Sequence, residues 1–441
     1  MNVKSFSLCV AFVFSCGFCC GEDWSRFRGP NGSGIVDAIV PASWSDESNI
    51  AWSIDLPGAG SSSPIVIGDN VLVTCYSGYG VPGEEVGAPE SLTRKLMCFN
   101  RKDGSLVFET SEVAAEVEDD YQGFIKEHGY ASSTPVSDGQ HIYVVYGKSG
   151  LYCYDMKGEK VWHQPLGTFS DPAKWGDGAS PILHNDLVIV NAGIVGHAIV
   201  ALNKESGEEV WRTENEKFTN CWSTPVKVEA NGRTELVFSM PGQIVSLNPD
   251  DGSEYWTCVS PIAQTVTASL ASEGDVVYAM GGRGGVAVAV RCGGSGDVSE
   301  THKLWETRLR AGIGTPIVVS NRLYWTVGGE IYCANCETGD QIYQEKANAE
   351  EQTPEAEGEN AGGGRRRRGP AGDYASPVCC GDRIYMVMRN GTTHVVKPKE
   401  SFELVSSNKL GDGTVLFNAS PAISDNQMYI RSDKKLYCIS Q

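Results

Sequence analysis

Ser62-Ser63-Pro64-Ile65 is the first of eight copies of a short phrase made of a small residue, a hydroxyl residue, proline and an apolar residue. Six more copies keep the proline, and they are Ser133-Thr134-Pro135-Val136, Ala179-Ser180-Pro181-Ile182, Ser223-Thr224-Pro225-Val226, Gly314-Thr315-Pro316-Ile317, Ala375-Ser376-Pro377-Val378 and Ala419-Ser420-Pro421-Ala422. The eighth, Thr267-Ala268-Ser269-Leu270, has lost it. With Ser269 standing in for the missing proline, the steps between copies are 71, 46, 44, 44, 47, 61 and 44 residues. A nearly constant period in this range is typical of β-propeller blades.

One repeat contains four short runs of β-forming residues. From Ala179 to Trp211 these runs are Ile182-Leu183, Leu187-Val188-Ile189-Val190, Ile199-Val200-Ala201-Leu202 and Glu208-Glu209-Val210-Trp211. Apolar runs of this length separated by turn residues indicate strands. Gly207, before the last run, supplies the positive φ that a tight hairpin requires. We therefore predict an all-β, eight-bladed β-propeller of four-stranded blades over residues 44–441.

Large aromatic residues mark the last strand of the repeat. Trp162, Trp211, Trp256 and Trp305 close four repeats, and rings of this size can wedge between neighbouring sheets. The final repeat ends at Cys438-Ile439 without such a strand, whereas the N-terminal segment around Trp52 has the missing pattern. We predict that these five tryptophans dock blade against blade, and that the N-terminal strand completes the eighth blade and closes the ring.

Residues 1–21 have the features of a signal peptide. Lys4 gives a positive start, and an apolar stretch from Leu8 to Phe18 is too short to span a bilayer. We predict an exported protein of the periplasm or cell envelope, with residues 22–43 as an N-terminal lead segment. Lipidation at Cys16 stays open as an alternative, because Val13-Phe14-Ser15-Cys16 is similar to a lipobox.

The charge balance argues against one class of partner. The chain has 36 basic and 55 acidic residues and a formal net charge of −19 at pH 7. Such a field repels phosphate backbones, so we expect no nucleic-acid binding. We expect a monomer.

The cysteines fall on repeat positions. Cys98, Cys153, Cys333 and Cys438 occupy one strand position, where other repeats have Ala201 and Ser246. A position that accepts these three residue types is predicted to be small and buried. Cys333 and Cys336 have redox-motif spacing but lie at a strand end and not before a helix, and no paired cysteines and histidines have zinc-ligand spacing. We predict no catalytic residue and no metal site.

The run from Ala201 to Trp211 resembles the tryptophan-docking repeat of quinoprotein dehydrogenases. With the Ser-Pro phrases, the chain resembles PQQ-like β-propeller repeat proteins, a superfamily that also contains the BamB-type outer-membrane assembly lipoproteins. The opening Trp24-Ser25-Arg26-Phe27-Arg28-Gly29-Pro30-Asn31-Gly32 is similar to the start of exported bacterial members, especially from planctomycetes.

The resemblance raises the question of a cofactor. Quinoprotein dehydrogenases hold PQQ and Ca2+ on the propeller axis, often near a disulfide between adjacent cysteines, and Cys379-Cys380 is similar to that pair. However, this pair directly follows a Ser-Pro phrase, where other repeats have strand residues. No Asn-Asp pair matches the metal and base positions of those enzymes, and no Cys-x-x-Cys-His haem site is present. We expect no cofactor, with PQQ and Ca2+ implied only under an enzymatic alternative.

Insertions lengthen two of the repeats. One comprises residues 77–90 and 112–128, and the other residues 346–373, which include Arg365-Arg366-Arg367-Arg368. The second has few apolar residues and is predicted to be a solvated loop. Its alternative role is a tether to an anionic surface.

Residues just before each Ser-Pro phrase should line the central channel, because the first strand of a blade lies nearest the axis. These candidates are Tyr130, Asp177, Cys221, Trp222, Thr265, Arg310, Tyr374 and Asn418. We predict a non-catalytic binding or scaffold propeller that recruits a protein or ligand at the channel mouth. The alternative is a PQQ-dependent oxidoreductase.

Overall fold

The computed structural model describes residues 22–45, 47–282, 285–347 and 372–441. The predicted signal peptide 1–21, most of the insertion 346–373 and its four arginines, Arg365 to Arg368, lie outside the described residues.

Eight antiparallel four-stranded sheets form the predicted all-β propeller. From inner to outer strand, blade 1 comprises Ile65–Ile67, Asn70–Ser77, Thr93–Asn100 and Leu106–Val113; blade 2, Val136–Ser137, His141–Val145, Leu151–Asp155 and Lys160–Gln164; blade 3, Ile182–His184, Leu187–Ala192, Ala198–Asn203 and Glu209–Glu214; and blade 4, Val226–Ala230, Arg233–Met240, Gln243–Leu247 and Glu254–Val259. Blade 5 comprises Ala271–Glu273, Val276–Gly281, Val286–Arg291 and Lys303–Thr307; blade 6, Ile317–Val319, Arg322–Val327, Glu330–Asn335 and Gln341–Lys346; blade 7, Val378–Cys380, Arg383–Val387, Thr392–Val396 and Leu404–Lys409; and blade 8, Ala422–Ser424, Gln427–Arg431, Lys435–Ile439 and Ile50–Asp55.

Helical structure among the described residues is confined to short turns. The α-helical turns are Ile125–His128 and Gly193–Gly196, and the 3-10 turns are Pro89–Ser91, Gly147–Ser149 and Glu216–Phe218. Two further short strands add parallel edges: Ile35–Val36 beside the inner strand of blade 7, and Gly296–Asp297 beside the outer strand of blade 4. The blades therefore carry nearly all of the regular structure.

The ring closes through the N-terminal strand, as predicted. Ile50–Asp55 pairs antiparallel with Lys435–Ile439, so the two ends of the propeller meet in blade 8. Trp52 is opposite Cys438, so the N-terminal strand supplies the outer strand that the last repeat lacks. Closure of this kind leaves no exposed seam between the first and last blades.

The Ser-Pro phrases form a closed circle of hydrogen bonds around the axis, which we call the hydroxyl ring. In each blade the backbone N–H of the hydroxyl residue donates to the hydroxyl oxygen of the next blade. The bonds are Ser63 N to Thr134 Oγ1 (3.0 Å), Thr134 N to Ser180 Oγ (3.0 Å), Ser180 N to Thr224 Oγ1 (3.0 Å), Thr224 N to Ser269 Oγ (2.9 Å), Ser269 N to Thr315 Oγ1 (3.0 Å), Thr315 N to Ser376 Oγ (3.0 Å), Ser376 N to Ser420 Oγ (2.8 Å) and Ser420 N to Ser63 Oγ (3.1 Å). All eight residues are buried.

The chemistry of the ring explains the phrase. The hydroxyl residue must both donate its N–H and offer an oxygen, so Ser or Thr is required in every blade. The following proline has no N–H to leave unpaired at the inner edge of the sheet. In blade 5 the predicted alignment was wrong by one residue: Ser269 does not replace the proline but is the ring hydroxyl, and Leu270 follows it where other blades have proline. The ring therefore requires the hydroxyl and not the proline.

The docking tryptophans join each blade to the next. The indole Nε1 of Trp162 donates to Lys204 O of blade 3 at 3.1 Å, and the ring lies over Gly207. Trp52, Trp211 and Trp305 make the same bond to the carbonyls of Arg101, Pro249 and Cys336, at 2.9, 3.1 and 2.8 Å.

Trp256 departs from this pattern. Its Nε1 donates to Oε2 of Glu235 within its own blade, at 2.6 Å. Glu235 is fully buried and also accepts from Ser246 Oγ, Arg233 Nε and Gly293 N, so its carboxylate replaces the neighbouring carbonyl as the partner.

The repeat cysteines are buried and unpaired. Cys98, Cys153, Cys333 and Cys438 are fully inaccessible in their strands, and all cysteines of the described residues are free thiols. Burial raises the pKa of Cys153 and Cys438 to about 12, so both stay protonated at neutral pH. These residues act as small apolar side chains.

The N-terminal lead segment is built into the ring. Trp24 exchanges backbone hydrogen bonds with Val66 of blade 1, and Ser25 O accepts from Ser137 N of blade 2. Farther along, Gly34 O accepts from Cys379 N of blade 7. Residues 22–36, which we call the plug, therefore cross one end of the channel from blades 1 and 2 to blade 7. Trp24 is fully buried there.

Replacing one ring hydroxyl should destabilise the fold. In Thr224→Val the buried N–H of Ser180 loses its acceptor, which costs about 1–3 kcal/mol of unfolding free energy. Thr224→Ser keeps the oxygen and serves as the matched control. Denaturant unfolding of both variants measures the difference, and equal stability of the two would show that the ring bond contributes nothing.

The turn glycine under a docking tryptophan should be more sensitive than a turn glycine in open space. A Cβ at Gly207 would lie 2.6 Å from Cδ2 of Trp162, whereas one at Gly232 meets nothing within 4 Å. Both glycines have positive φ, 74° and 76°, so alanine strains the backbone equally at both. Gly207→Ala should therefore lose about 1–3 kcal/mol more stability than Gly232→Ala, measured by denaturant unfolding. A smaller loss at Gly207 would contradict the docking.

Candidate functional site

A cavity of about 500 Å3 lies on the propeller axis. All eight residues of the hydroxyl ring line the cavity. Phe27 of the plug also lines it and closes one end. At the other end it is bordered by the loops that lead into the inner strands, so the mouth lies on the face opposite the plug. The mouth and the plug thus give the channel one open and one closed end.

Three aromatic rings in contact form one side of the mouth, which we call the aromatic wall. The rings of Phe124 and Trp175 have centroids 4.2 Å apart, and those of Trp175 and Trp222 are 5.2 Å apart at 30°. Trp222 Nε1 donates to Gly176 O at 2.7 Å, so its polar atom is satisfied and its face is left for contact. Aromatic surfaces of this kind favour flat or apolar groups.

His128 stands behind the aromatic wall. Its Nε2 lies 2.8 Å from Trp175 O and its Nδ1 lies 2.6 Å from Ser132 Oγ. Burial lowers the pKa of His128, which favours the neutral imidazole. Both ring nitrogens are engaged within the protein, so His128 positions the loop that carries Trp175.

Tyr374 and Asn418 form the other side of the mouth. Arg389 lies over the Tyr374 ring, with Cζ 4.6 Å from the centroid, and its Nε donates to Asn418 Oδ1 at 3.2 Å. Arg389 also pairs with Glu127. Asn418 Nδ2 donates to Glu127 O at 2.6 Å.

The insertion 112–128 links the two sides of the mouth. Its helical turn Ile125–His128 carries Glu127, which contacts blades 7 and 8, while Phe124 and His128 contact the loop of blade 3. One short turn therefore holds loops from three blades together around the cavity.

The structure brings only part of the predicted channel set together. Trp222, Thr265, Tyr374 and Asn418 line the cavity. Tyr130 instead packs against Tyr76 and Tyr79, with its hydroxyl on Asp119 O at 2.8 Å.

The remaining predicted residues face other surroundings. Arg310 turns outward to Glu330 at 2.7 Å. Cys221 is buried with Sγ 3.0 Å from Ser239 O. Asp177 folds back so that its Oδ1 accepts from the N–H of Gly178 at 2.7 Å and of Ala179 at 3.3 Å.

The sequence prediction missed four ring-bearing side chains of the lining: Phe27, Phe124, His128 and Trp175. It also missed smaller lining residues, among them Ser61, Ser132, Thr267 and Ile313. Phe124 and His128 lie in the insertion 112–128, so the break in the period was the available signal. Phe27 lies in the Trp24–Gly32 motif, which the repeat pattern does not cover. Trp175 carries no signal in the sequence beyond its place in a long loop between blades 2 and 3.

The described part of the lining carries no formal charge of its own. None of its residues is Asp, Glu, Lys or Arg. Within the described ranges, no group of three or more His, Cys, Asp or Glu residues is placed to hold a metal ion. Cys379 and Cys380 are buried free thiols in the inner strand of blade 7, beside Ile35–Val36 of the plug.

Similarity to known proteins agrees with the fold. The profile of the family described as outer membrane protein assembly factor BamB matches residues 93–345, more than half of the chain. The protein is a PQQ-like β-propeller. It belongs to this BamB family. No curated protein matches the sequence significantly.

Solved structures show the same architecture. BamB from Moraxella catarrhalis has 14% identity and a TM-score of 0.58 over 89% of this chain and 97% of that one. A europium-containing methanol dehydrogenase has 9% identity and a TM-score of 0.63, covering 95% and 98% of the two chains. Quinohemoprotein alcohol dehydrogenase from Comamonas testosteroni has 12% identity and a TM-score of 0.60, covering 94% and 80%. At these identities the similarity concerns the fold alone.

No helix within the described ranges is long and apolar enough to cross a membrane.

The buried carboxyl of Asp177, in the loop beside the cavity, should make the unfolding free energy of the protein depend on pH. Burial raises its pKa from 3.8 to about 6, and Oδ2 has no partner among the described residues. Because the folded state holds this proton more tightly than the unfolded state, its contribution to stability falls as pH rises from about 4 to about 6. Asp177→Asn keeps an oxygen for the two N–H donors.

This variant should therefore gain stability relative to the natural protein between pH 4.5 and pH 7.5, measured by denaturant unfolding at both values. Glu209→Gln on the outer strand of blade 3 is the exposed control. A stability difference that does not change with pH would contradict the assignment.

Proposed function

We propose that this protein is a non-catalytic binding propeller of the cell envelope that recruits a protein partner at the mouth of its axial cavity. The observation that carries the proposal is the cavity itself, which is open between loops at one end, closed by the plug at the other and lined by aromatic rings and hydroxyls. Concave, mostly apolar sites with a few polar groups are the usual form of binding sites.

The side chains around the cavity favour binding over catalysis. A general acid or base needs a titratable group within reach of the bound molecule and near its own pKa. Both nitrogens of His128 are engaged within the protein, and burial raises the pKa of Tyr374 to about 12. The described lining offers no carboxylate or amine for this role.

The donor set does not fit a PQQ and Ca2+ centre. Ca2+ takes six to eight oxygen ligands, which usually include carboxylates. The described lining holds no Asp or Glu, and Cys379 and Cys380 form no disulfide. The PQQ-dependent oxidoreductase is therefore the less supported alternative.

Export and an envelope location are part of the proposal. The signal-like start of the sequence and membership in a family named for outer-membrane assembly support both. A lipid tether at Cys16 and a monomeric state stay predictions.

The proposal is tested by photo-crosslinking in the native host. A benzophenone amino acid at Ile313, which lines the cavity, should give a protein adduct. The same group at Leu304, exposed on the outer strand of blade 5, is the matched control. Trp222→Ala should reduce the Ile313 adduct, because it removes one ring of the aromatic wall.

Adducts from Leu304 without adducts from Ile313 would contradict binding at the mouth. Dye reduction by the purified protein that depends on both PQQ and Ca2+ would overturn the non-catalytic assignment.

A further inference from the structure

The hydroxyl ring presents unused hydrogen-bond donors to the cavity. Each hydroxyl oxygen accepts a backbone N–H from the preceding blade, yet none of the eight O–H groups has an acceptor among the described residues. All eight residues line the cavity. A serine or threonine hydroxyl carries one proton to donate, so the closed end is a circle of free donors.

Tyr374 adds a donor above this circle. Tyr374 lines the same cavity, and its hydroxyl is buried and has no partner among the described residues. Burial raises its pKa to about 12, so the proton stays on the oxygen at neutral pH. A buried polar group without a partner is costly unless a ligand or water completes it.

Two buried cations of the plug, Arg26 and Arg28, flank Phe27, the plug residue that lines the cavity. Arg28 Nη1 donates to Pro316 O at 2.8 Å, directly after the ring residue Thr315, and Nη2 donates to Ser33 O at 2.7 Å. The guanidinium of Arg26, two residues away on the plug, has no hydrogen-bond or ion-pair partner among the described residues, although only 6% of the residue is exposed.

Within the described residues, neither arginine has an acidic partner. The formal net charge is −19, yet neither guanidinium lies beside a carboxylate of the described residues. Burial lowers the pKa of Arg26 to about 10, and burial together with the charge of Arg26 lowers that of Arg28 to about 9. Buried charges are normally paired, so the positive charge here lacks a counterion.

We infer that the closed end of the cavity recognises a carboxylate carried by an apolar or aromatic body. The free O–H donors and the arginines of the plug match an acceptor-only anion, and the aromatic wall matches the body that follows it. This inference rests on the proposed binding function and adds the chemistry of the bound group. The carboxylate can come from a polypeptide C-terminus or from a small organic acid.

Matched acid and amide probes test the inference. Binding of 3-phenylpropionate and of 3-phenylpropionamide to the full chain is followed by tryptophan fluorescence and thermal unfolding. The acid should bind roughly 10-fold more tightly, because its hydrogen bonds are charge-assisted. A phenylalanine-ending tripeptide with a free or amidated C-terminus is the second pair. Preference for the acid in both pairs indicates that either source is accepted, and preference only among the peptides indicates a polypeptide end.

Variants connect the preference to these residues. Arg26→Gln should remove most of the preference for the acid and, since it deletes an unpaired buried cation, should leave the melting temperature of the ligand-free protein equal or higher. Tyr374→Phe, which keeps the ring, should weaken acid binding several-fold. Arg212→Gln, on the exposed outer strand of blade 3, is the control and should change neither property.

Equal binding of acid and amide, no binding of either, or an undiminished preference in Arg26→Gln would each overturn the inference. If Ile313 gives a protein adduct while any of these results is obtained, the proposed binding function stands and only the recognition of a carboxylate is wrong.

Discussion

The hydroxyl ring is the interaction on which the rest of the structure depends. Each blade donates one N–H and accepts another through a single Ser or Thr, so the position of every inner strand is tied to both of its neighbours. These bonds are buried, and a buried N–H without an acceptor is costly. The circle therefore holds the eight blades at a common height around the axis. Docking tryptophans such as Trp162 make the corresponding contact at the outer edge.

The plug closes one end of the channel that the hydroxyl ring surrounds. Residues 22–36 connect blades 1 and 2 with blade 7 across the channel and place Phe27 at the closed end of the cavity. The same segment introduces Arg26 and Arg28, beside which the described residues supply no acidic partner. A segment that served only to fill space would be expected to use apolar residues, since burying a guanidinium is expensive. The plug thus closes the channel and also places two positive charges near its closed end.

The candidate site shows where prediction from sequence succeeded and where it failed. Trp222, Tyr374 and Asn418 line the cavity because each stands two residues before a ring hydroxyl, a position that lines the cavity in all eight blades. Tyr130 and Arg310 stand farther from their ring hydroxyls in the sequence, and their side chains contact Asp119 and Glu330 instead. The repeated phrase identified the right loops, but only the structure showed which position of each loop faces the axis. His128 and Phe124 lie in the insertion 112–128, which the repeat does not cover, so the repeat could not predict their place in the site.

The sequence by itself determined the number of blades, their order and the closure by the strand around Trp52, because these follow from local strand patterns and a repeated phrase. It also placed the cysteines in buried strand positions. Only the tertiary structure decided that the lead segment closes the channel, that the turn Ile125–His128 joins loops of three blades, and that the ring hydroxyls keep free protons. These features arise from contacts such as Arg28 with Pro316 and Glu127 with Arg389, which join residues hundreds of positions apart. No local pattern encodes such pairings, so they exist only once the ring has closed.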